Sequence, residues 1–278
     1  MVEQRLEERL LELEIAGYTV LEGMLTPEEC AEARRELDRI FEVEKDLPGA
    51  PHGPYAAQSY NLMNKARIFE RLYQLTPLLR LVRFFLGEDA VLSSVQAHRI
   101  LPGAPVQQLH YDGTLTGPFK SVAEADKGTR IVSHVLGFNV VFCITDFTRT
   151  NGATRVVPGS HRYPGREVPH EAPVPNEKIV EARRGSVLVF NIATWHGASA
   201  NTSQEIRDAI MTPWRRSWIR PEADLSRVVS PKVLARAGEE GRRIFGFSSR
   251  APYVERWQWD MAQGRPTDAW RHLDRDAV

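Results

Sequence analysis

From residue 91 onward the chain is written as short apolar runs cut by Gly, Pro and Asn, and that punctuation limits it to a β core. Residues 91–101, 131–147, 154–157, 186–192 and 206–218 are rich in β-branched and aromatic side chains. Runs of that length between turn residues are the signature of an all-β sandwich or barrel. Before Gly87 the period is helical. Leu6, Leu10, Leu13 and Ile15 recur among Glu and Arg over residues 3–16, Gly17 is placed to end that helix, and residues 18–21 read as a short strand. Thr26-Pro27-Glu28-Glu29 then spells a helix start, with Thr as cap, Pro at the first turn and Glu three residues after the cap. The helix it opens is expected to reach about Lys45 with Cys30, Ala33, Leu37, Ile40 and Phe41 inward. Residues 47–54 are a Pro- and Gly-bearing loop, and 68–86 a second helical region interrupted before Pro77.

Residues 1–87 therefore read as a helical layer on a β core of 88–220. A C-terminal extension, 221–278, follows, with a helix near 231–245 and three tryptophans, Trp257, Trp259 and Trp270. Nothing shifts sharply enough at Gly87 to mark a linker, so one domain spanning 1–278 is expected. Thirty-six basic and thirty-six acidic residues cancel, which gives no reason to expect nucleic acid or an anionic membrane as partner. Cys30 and Cys143 are too few for a disulfide framework or a thiolate metal site. No apolar run approaches the ~18–20 residues that span a bilayer, and the charged N-terminus lacks a signal-peptide core. The cytoplasm is the default location.

Gln108-Leu109-His110-Tyr111-Asp112 is the stretch with chemistry in it. Side chains at i and i+2 leave one face of a strand, so His110 and Asp112 are spaced to share a ligand, with Gly113 letting the chain turn away. Imidazole plus carboxylate is two-thirds of the facial triad of non-haem Fe(II) oxygenases. Alone, the pair is equally a surface histidine and a turn aspartate. The weight changes with His196, which the buried run 187–190 would deliver to its far end beside Gly197, a residue that permits close backbone approach to a ligand. Eleven residues later comes Arg207, whose planar fork suits a carboxylate. Arg207 alternates with Ile206 and Asp208, and periodicity does not fix which of the two faces holds a site.

These segments together carry a family likeness. The HYD stretch, Asn151-Gly152-Ala153-Thr154-Arg155-Val156-Val157-Pro158-Gly159-Ser160-His161, Trp195-His196-Gly197-Ala198, Asn201-Thr202-Ser203 and Arg207 resemble the phytanoyl-CoA dioxygenase family. The opening Gly17-to-Gly23 segment and the helix start that follows it are similar too, so the resemblance covers about residues 10–220. It implies a mainly β fold with an α layer: a double-stranded β-helix (jelly roll, cupin-like) core with N-terminal helices packed on it. It also implies Fe(II), 2-oxoglutarate and O2 as cofactor and cosubstrates, with His110, Asp112 and His196 as iron ligands and Arg207 on the distal carboxylate of 2-oxoglutarate. His161 is not implied as a ligand. Where relatives often carry a small hydroxyl residue two places after the distal histidine, this chain has Ala198, so Ser199 or Thr202 would have to supply that hydrogen bond. Gln107 and Asn139 are further candidates for cosubstrate contacts, since buried amides need partners, although a partner within the sheet would serve Asn139 as well.

The implied activity is oxidation of a small-molecule metabolite with release of succinate and CO2. Because Asp112 fills the position that halogenating relatives leave to Ala or Gly, hydroxylation or another oxidation such as desaturation or ring formation is expected over halogenation. A non-catalytic or Zn-binding cupin-like protein is the alternative, since two histidines and an aspartate also hold zinc; the arginine at family spacing weighs against it. Tyr60, Met63, Tyr111, Trp195 and residues 215–218 are possible pocket borders, each explained equally by packing. Substrate identity and oligomeric state are not readable from these residues.

Overall fold

Local signals set the helix boundaries seen in the computed structural model, which describes residues 2–112, 134–162, 168 and 173–247 and the backbone at 259–260 and 265–266. The backbone N–H of Glu29 donates to Thr26 Oγ1 (3.2 Å) and that of Thr26 to the Glu29 carboxylate (2.9 Å), closing the expected capping box. Helix α1 (Val2–Ala16) stops at Gly17, whose φ of 80° and contact with His161 and Thr194 leave no room for a Cβ. Helix α2 (Pro27–Glu44) buries the five residues named for it. A 3₁₀ turn (Arg67–Arg71) precedes α3 (Thr76–Leu86), so the break before Pro77 falls where expected. Helix α4 (Pro231–Ile244) kinks at Gly238.

Strands β1 (Tyr18–Leu21), β2 (Ala56–Tyr60), β3 (Val91–Leu92), β4 (Gln96–Ile100), β5 (Gly137–Cys143), β8 (Val187–Asn191), β10 (Arg207–Met211) and β11 (Trp214–Arg215) form one antiparallel sheet. Its path is β1-β8-β5-β10-β4-β2, with β11 pairing β3 and β5. A second sheet has the order β7-β6-β9, from β6 (Thr154–Val156), β7 (Lys178–Ile179) and β9 (His196–Ala198). One core cluster joins α1–α4 to the outer face of the large sheet through Leu37, Leu78, Val140, Val189 and Trp214. Another lies between the sheets, with Val141, Cys143, Leu188 and Ala209 against Val156 and Phe147.

Three expectations need correction. The N-terminal 87 residues hold a second strand besides the expected one at 18–21: β2 stands at the far end of the large sheet's path from β1. Ala56-Ala57-Gln58-Ser59-Tyr60 has little β propensity of its own; its pairing with β4 makes it a strand. The run 91–101 is two strands, parted where the Ser93 N–H donates to the Pro213 carbonyl (2.7 Å). The run 206–218 parts at Pro213, which has no N–H to give a ladder. Trp257 and Trp270 lie outside the described residues; Trp259–Asp260 pairs with Arg265–Pro266 in a short ladder.

Among the described residues no helix is long and apolar enough to cross a membrane. Both cysteines are buried free thiols. Burial raises the Cys30 pKa and pushes Cys143 up to about 12. The thiolate is the reactive form, and a group with that pKa is only on the order of one part in ten thousand thiolate at pH 8. Intact-mass analysis after iodoacetamide at pH 8 should therefore show no adduct at Cys143 in native protein and two adducts per chain after denaturation. On the outer face, Arg99 Nε donates to Asp208 (2.7 Å) inside the protein. Asp208→Ala should cost about 1.5–3 kcal/mol, because it removes charged hydrogen bonds and leaves Arg99 with the Asp38 carboxylate alone; urea unfolding measures it.

Candidate metal centre and cosubstrate cavity

His110 and His196 exchange two backbone hydrogen bonds, N–H to C=O in each direction at 2.9 Å, so the segment before Asp112 runs as a further strand beside β9. Asp112 is fixed two residues on by its own N–H to the Ile192 carbonyl (2.8 Å). The three side chains converge. His196 Nε2 stands 3.3 Å from Asp112 Oδ2, His110 Nε2 stands 3.8 Å from Asp112 Oδ1, and the three donor atoms lie within 4.8 Å of one another. Ligands about 2.1 Å from one ion and at right angles are about 3 Å apart, so a small shift closes this set on a metal.

The hydrogen bonds behind the rings prepare them for it. His110 Nδ1 faces the Gln108 carbonyl (3.0 Å) and His196 Nδ1 the Thr194 carbonyl (2.9 Å). In the neutral ring, a proton held at Nδ1 leaves the Nε2 lone pair for a cation. Burial disfavours charge on Asp112, but His196, His110 and Arg215 outweigh it and hold the carboxyl below its usual range. Burial also lowers the His110 pKa, helped by the neighbouring His196. For His196 burial pulls down, and the Asp112 carboxylate more than reverses it, so its pKa is raised. The donor chemistry suits a divalent metal.

Two local readings change here. Strand β8 ends at Asn191, and the chain turns through 192–195 before His196 begins β9 in the other sheet. Gly197 makes room for a neighbouring strand as well as lining the cavity beside the triad. A Cβ there would sit 3.1 Å from the carbonyl oxygens of Gln107 and Gln108.

A cavity of about 460 Å³ opens from the triad along the inner face of the large sheet. Arg207 lines it and settles the face that alternation left open: Arg207 points between the sheets, while Asp208 points to the helices and Arg99. The guanidinium is 5 % exposed, lies 4.9 Å over the Phe147 ring and donates from Nε to the Gly152 carbonyl (3.1 Å). Burial pulls its pKa down to about 10, so it stays charged at neutral pH. Among the described residues no carboxylate pairs with it.

Gln107 and Asn139 line the cavity as well. The Gln107 side-chain oxygen accepts the Ala198 N–H (3.0 Å), leaving its amide nitrogen available. Asn139 Nδ2 donates to Asp112 Oδ2 (2.5 Å), so this amide engages the ligand carboxylate. Thr202 is elsewhere. Its N–H (2.7 Å) and hydroxyl (3.4 Å) both donate to the Thr150 carbonyl in the turn before β10, outside the cavity lining, and Ser199 is likewise outside it. Of the suggested pocket borders Tyr111 lines the cavity, whereas Met63 and Trp195 are packed in cores and Tyr60 is exposed. Gln58, Gln96, His98 and Glu222 are lining residues that the sequence reading missed. The alternation in Gln96-Ala97-His98 put two of them on one strand face; nothing local marked Gln58 or Glu222.

The remaining signature residues brace the site. Asn151 holds its turn through the Thr148 N–H (2.9 Å) and the Asp146 carbonyl (2.7 Å), presenting Gly152 to Arg207. The Gly159 N–H donates to Ala16 O (2.8 Å), and Ser160 Oγ accepts the Trp195 N–H (2.8 Å) beside His196. His161 faces the Glu14 carbonyl (3.2 Å), as its exclusion from the ligand set requires.

Residues 13–209 match the model of the phytanoyl-CoA dioxygenase (PhyH) family, and the chain belongs to that family. It is 26% identical to dioxygenase ALT11 of Alternaria alternata over 269 residues, 89% of this chain and 83% of the relative. Its fold is similar to that of the epimerase SnoN, solved with Fe³⁺, α-ketoglutarate and nogalamycin RO (TM-score 0.61, 19% identity, 80% of this chain and 88% of that one). It is also similar to HygX from Streptomyces hygroscopicus, solved with nickel and 2-oxoglutarate (TM-score 0.61, 20% identity, 77% and 88%). The core is a jelly roll, and the protein is a 2-oxoglutarate-dependent non-haem iron dioxygenase that uses Fe(II), 2-oxoglutarate and O2.

The close strand contact at Gly197 is testable. Gly197→Ala should push the segment of residues 107–110 away and weaken binding of Co(II), as an Fe(II) surrogate, by roughly tenfold. Isothermal titration would read it; unchanged affinity would show that the strand yields without moving His110.

Proposed function

We propose that His110, Asp112 and His196 ligate the iron and that Arg207 grips the distal carboxylate of 2-oxoglutarate, in an enzyme that hydroxylates a small-molecule metabolite. The observation that carries this reading is the buried Arg207 guanidinium, which faces the triad's cavity with no carboxylate partner among the described residues. A buried cation is costly without an anion, and a dicarboxylate whose other end reaches the metal supplies one. Zinc hydrolysis gives no such reason for the arginine.

The iron, when bound, supplies activation of O2 coupled to decarboxylation of 2-oxoglutarate to succinate. The chain does the rest. His110 and His196 would present Nε2 with Nδ1 turned to backbone carbonyls, Asp112 would contribute a carboxylate oxygen, and Asn139 holds that carboxylate through Oδ2. Gln107 is placed to offer its amide to the cosubstrate. With Asp112 as a ligand, no position would be left for halide, which favours oxidation of the substrate over halogenation. We read residues 1–278 as one catalytic domain, with the helical layer backing the sheet. The two free thiols fit a reducing cytoplasmic setting.

Replacing His110 or His196 by Ala should abolish Fe(II)-dependent succinate formation while leaving the thermal melt near wild type; iron found bound in an anomalous map away from these residues would refute the ligand set. Arg207→Lys keeps charge but loses the fork, and should raise the KM for 2-oxoglutarate by about tenfold with little effect on the substrate KM. Reactions run in bromide should give oxidised, unbrominated product by mass spectrometry.

A further inference from the structure

Strand β4 turns Gln96 and His98 towards the cavity and Arg99 to the helices. Its register with β10 sets Ile100 opposite Arg207 and His98 opposite Ala209. His98 and Arg207 are thus diagonal neighbours on one face, with Cβ atoms about 7–8 Å apart, near enough for two long side chains to converge on one small anion. The residue opposite His98 on β10 is Ala209, a cavity-lining residue whose methyl leaves room beside the imidazole. The His98 imidazole Nε2 is buried without a hydrogen-bond partner among the described residues. A polar group left so in a folded interior costs free energy until a ligand or water pairs with it. Burial first, then the charge of Arg207, lowers the His98 pKa to about 4. At neutral pH the ring therefore offers one N–H and adds no second positive charge beside the guanidinium.

We propose that His98 is the second hydrogen-bond donor to the distal carboxylate of 2-oxoglutarate, beside Arg207. This rests on the reading of Arg207 given above. A carboxylate has about four acceptor sites; the arginine fork takes two on one side, and the imidazole reaches another from the neighbouring strand. His98 is thereby a binding residue that selects for a 2-oxo acid carrying a carboxylate at its far end.

The test compares 2-oxoglutarate with 2-oxopentanoate, which keeps the metal-binding end and replaces the distal carboxylate with a methyl group. Each is titrated anaerobically into the Fe(II) protein, following the visible charge-transfer band. In His98→Leu the Kd for 2-oxoglutarate should rise about tenfold, the Kd for 2-oxopentanoate should stay within twofold, and His98→Gln, which retains an N–H, should recover part of the loss. His98→Met takes the place of His98→Leu if the latter does not melt cooperatively. A 2-oxoglutarate Kd within twofold of wild type, or equal weakening of both acids, would overturn the assignment. Arg207→Leu is the control for the underlying reading. A selective loss there with none at His98 refutes His98 alone, whereas no selective loss at either position, or no band in wild type, refutes both.

Discussion

The two backbone hydrogen bonds between His110 and His196 are what the site depends on. They join residues far apart in sequence into one antiparallel pair and thereby fix the distance between two imidazoles before any metal arrives. Each feature around them keeps that pair in register. Gly197 lets the strands approach, Arg155 reaches from β6 to the Gln107 carbonyl, and β6 itself is laddered to β9 from Thr154 to Val156. Asp112 then needs only one anchor, the Ile192 carbonyl, because the two-residue step has already aimed it at the rings. The loop 157–161 closes the brace by tying Trp195 to Ser160 and α1 to Gly159.

Strand β10 separates two kinds of charge. On its outer face Asp208 is saturated by Arg99, which also donates to Asp38 (2.5 Å) and stacks 4.6 Å over Phe41. On its inner face Arg207 has, among the described residues, a carbonyl and an aromatic ring as partners. The first arrangement is a completed ion pair that ties the sheet to α2. The second is incomplete in the protein alone, and a cation held in that state favours any anion that fits the cavity. Successive residues of one strand thus serve stability and binding, and the alternation of the strand keeps the two from neutralising each other.

That alternation also marks what could be read from the chain. The triad was legible because its residue types are few and its local spacing, two along a strand, is a geometric statement; Arg207 was legible by its place after His196. The face of Arg207 was not, since period two gives two faces and no sign. Thr202 was a candidate for the hydroxyl that Ala198 lacks, yet its N–H and hydroxyl are spent on closing a turn against Thr150. Strand β2 was invisible: Ala, Gln and Ser form a strand only because β4 offers an edge. Gln58 on that strand and Glu222 after the last core strand reach the cavity through topology, which no local pattern encodes.

The division of the site between two sheets has a consequence for how it works. The proposed metal ligands belong to the segment around His110 and to β9, whereas Arg207 and Ala209 belong to β10 and His98 to β4. On the proposed roles, a cosubstrate held at both ends would cross from one sheet to the other, and its affinity would depend on the spacing between them. That spacing is set by the packed cluster of Val141, Cys143, Leu188 and Ala209 against Val156 and Phe147. Phe147 takes part twice, filling this core and lying under the Arg207 guanidinium. Interiors packed this closely are stiff, so the distance from metal to guanidinium is preset and not found on binding. A diacid of the right length meets both ends at once, and a shorter or longer one gives up one contact to keep the other.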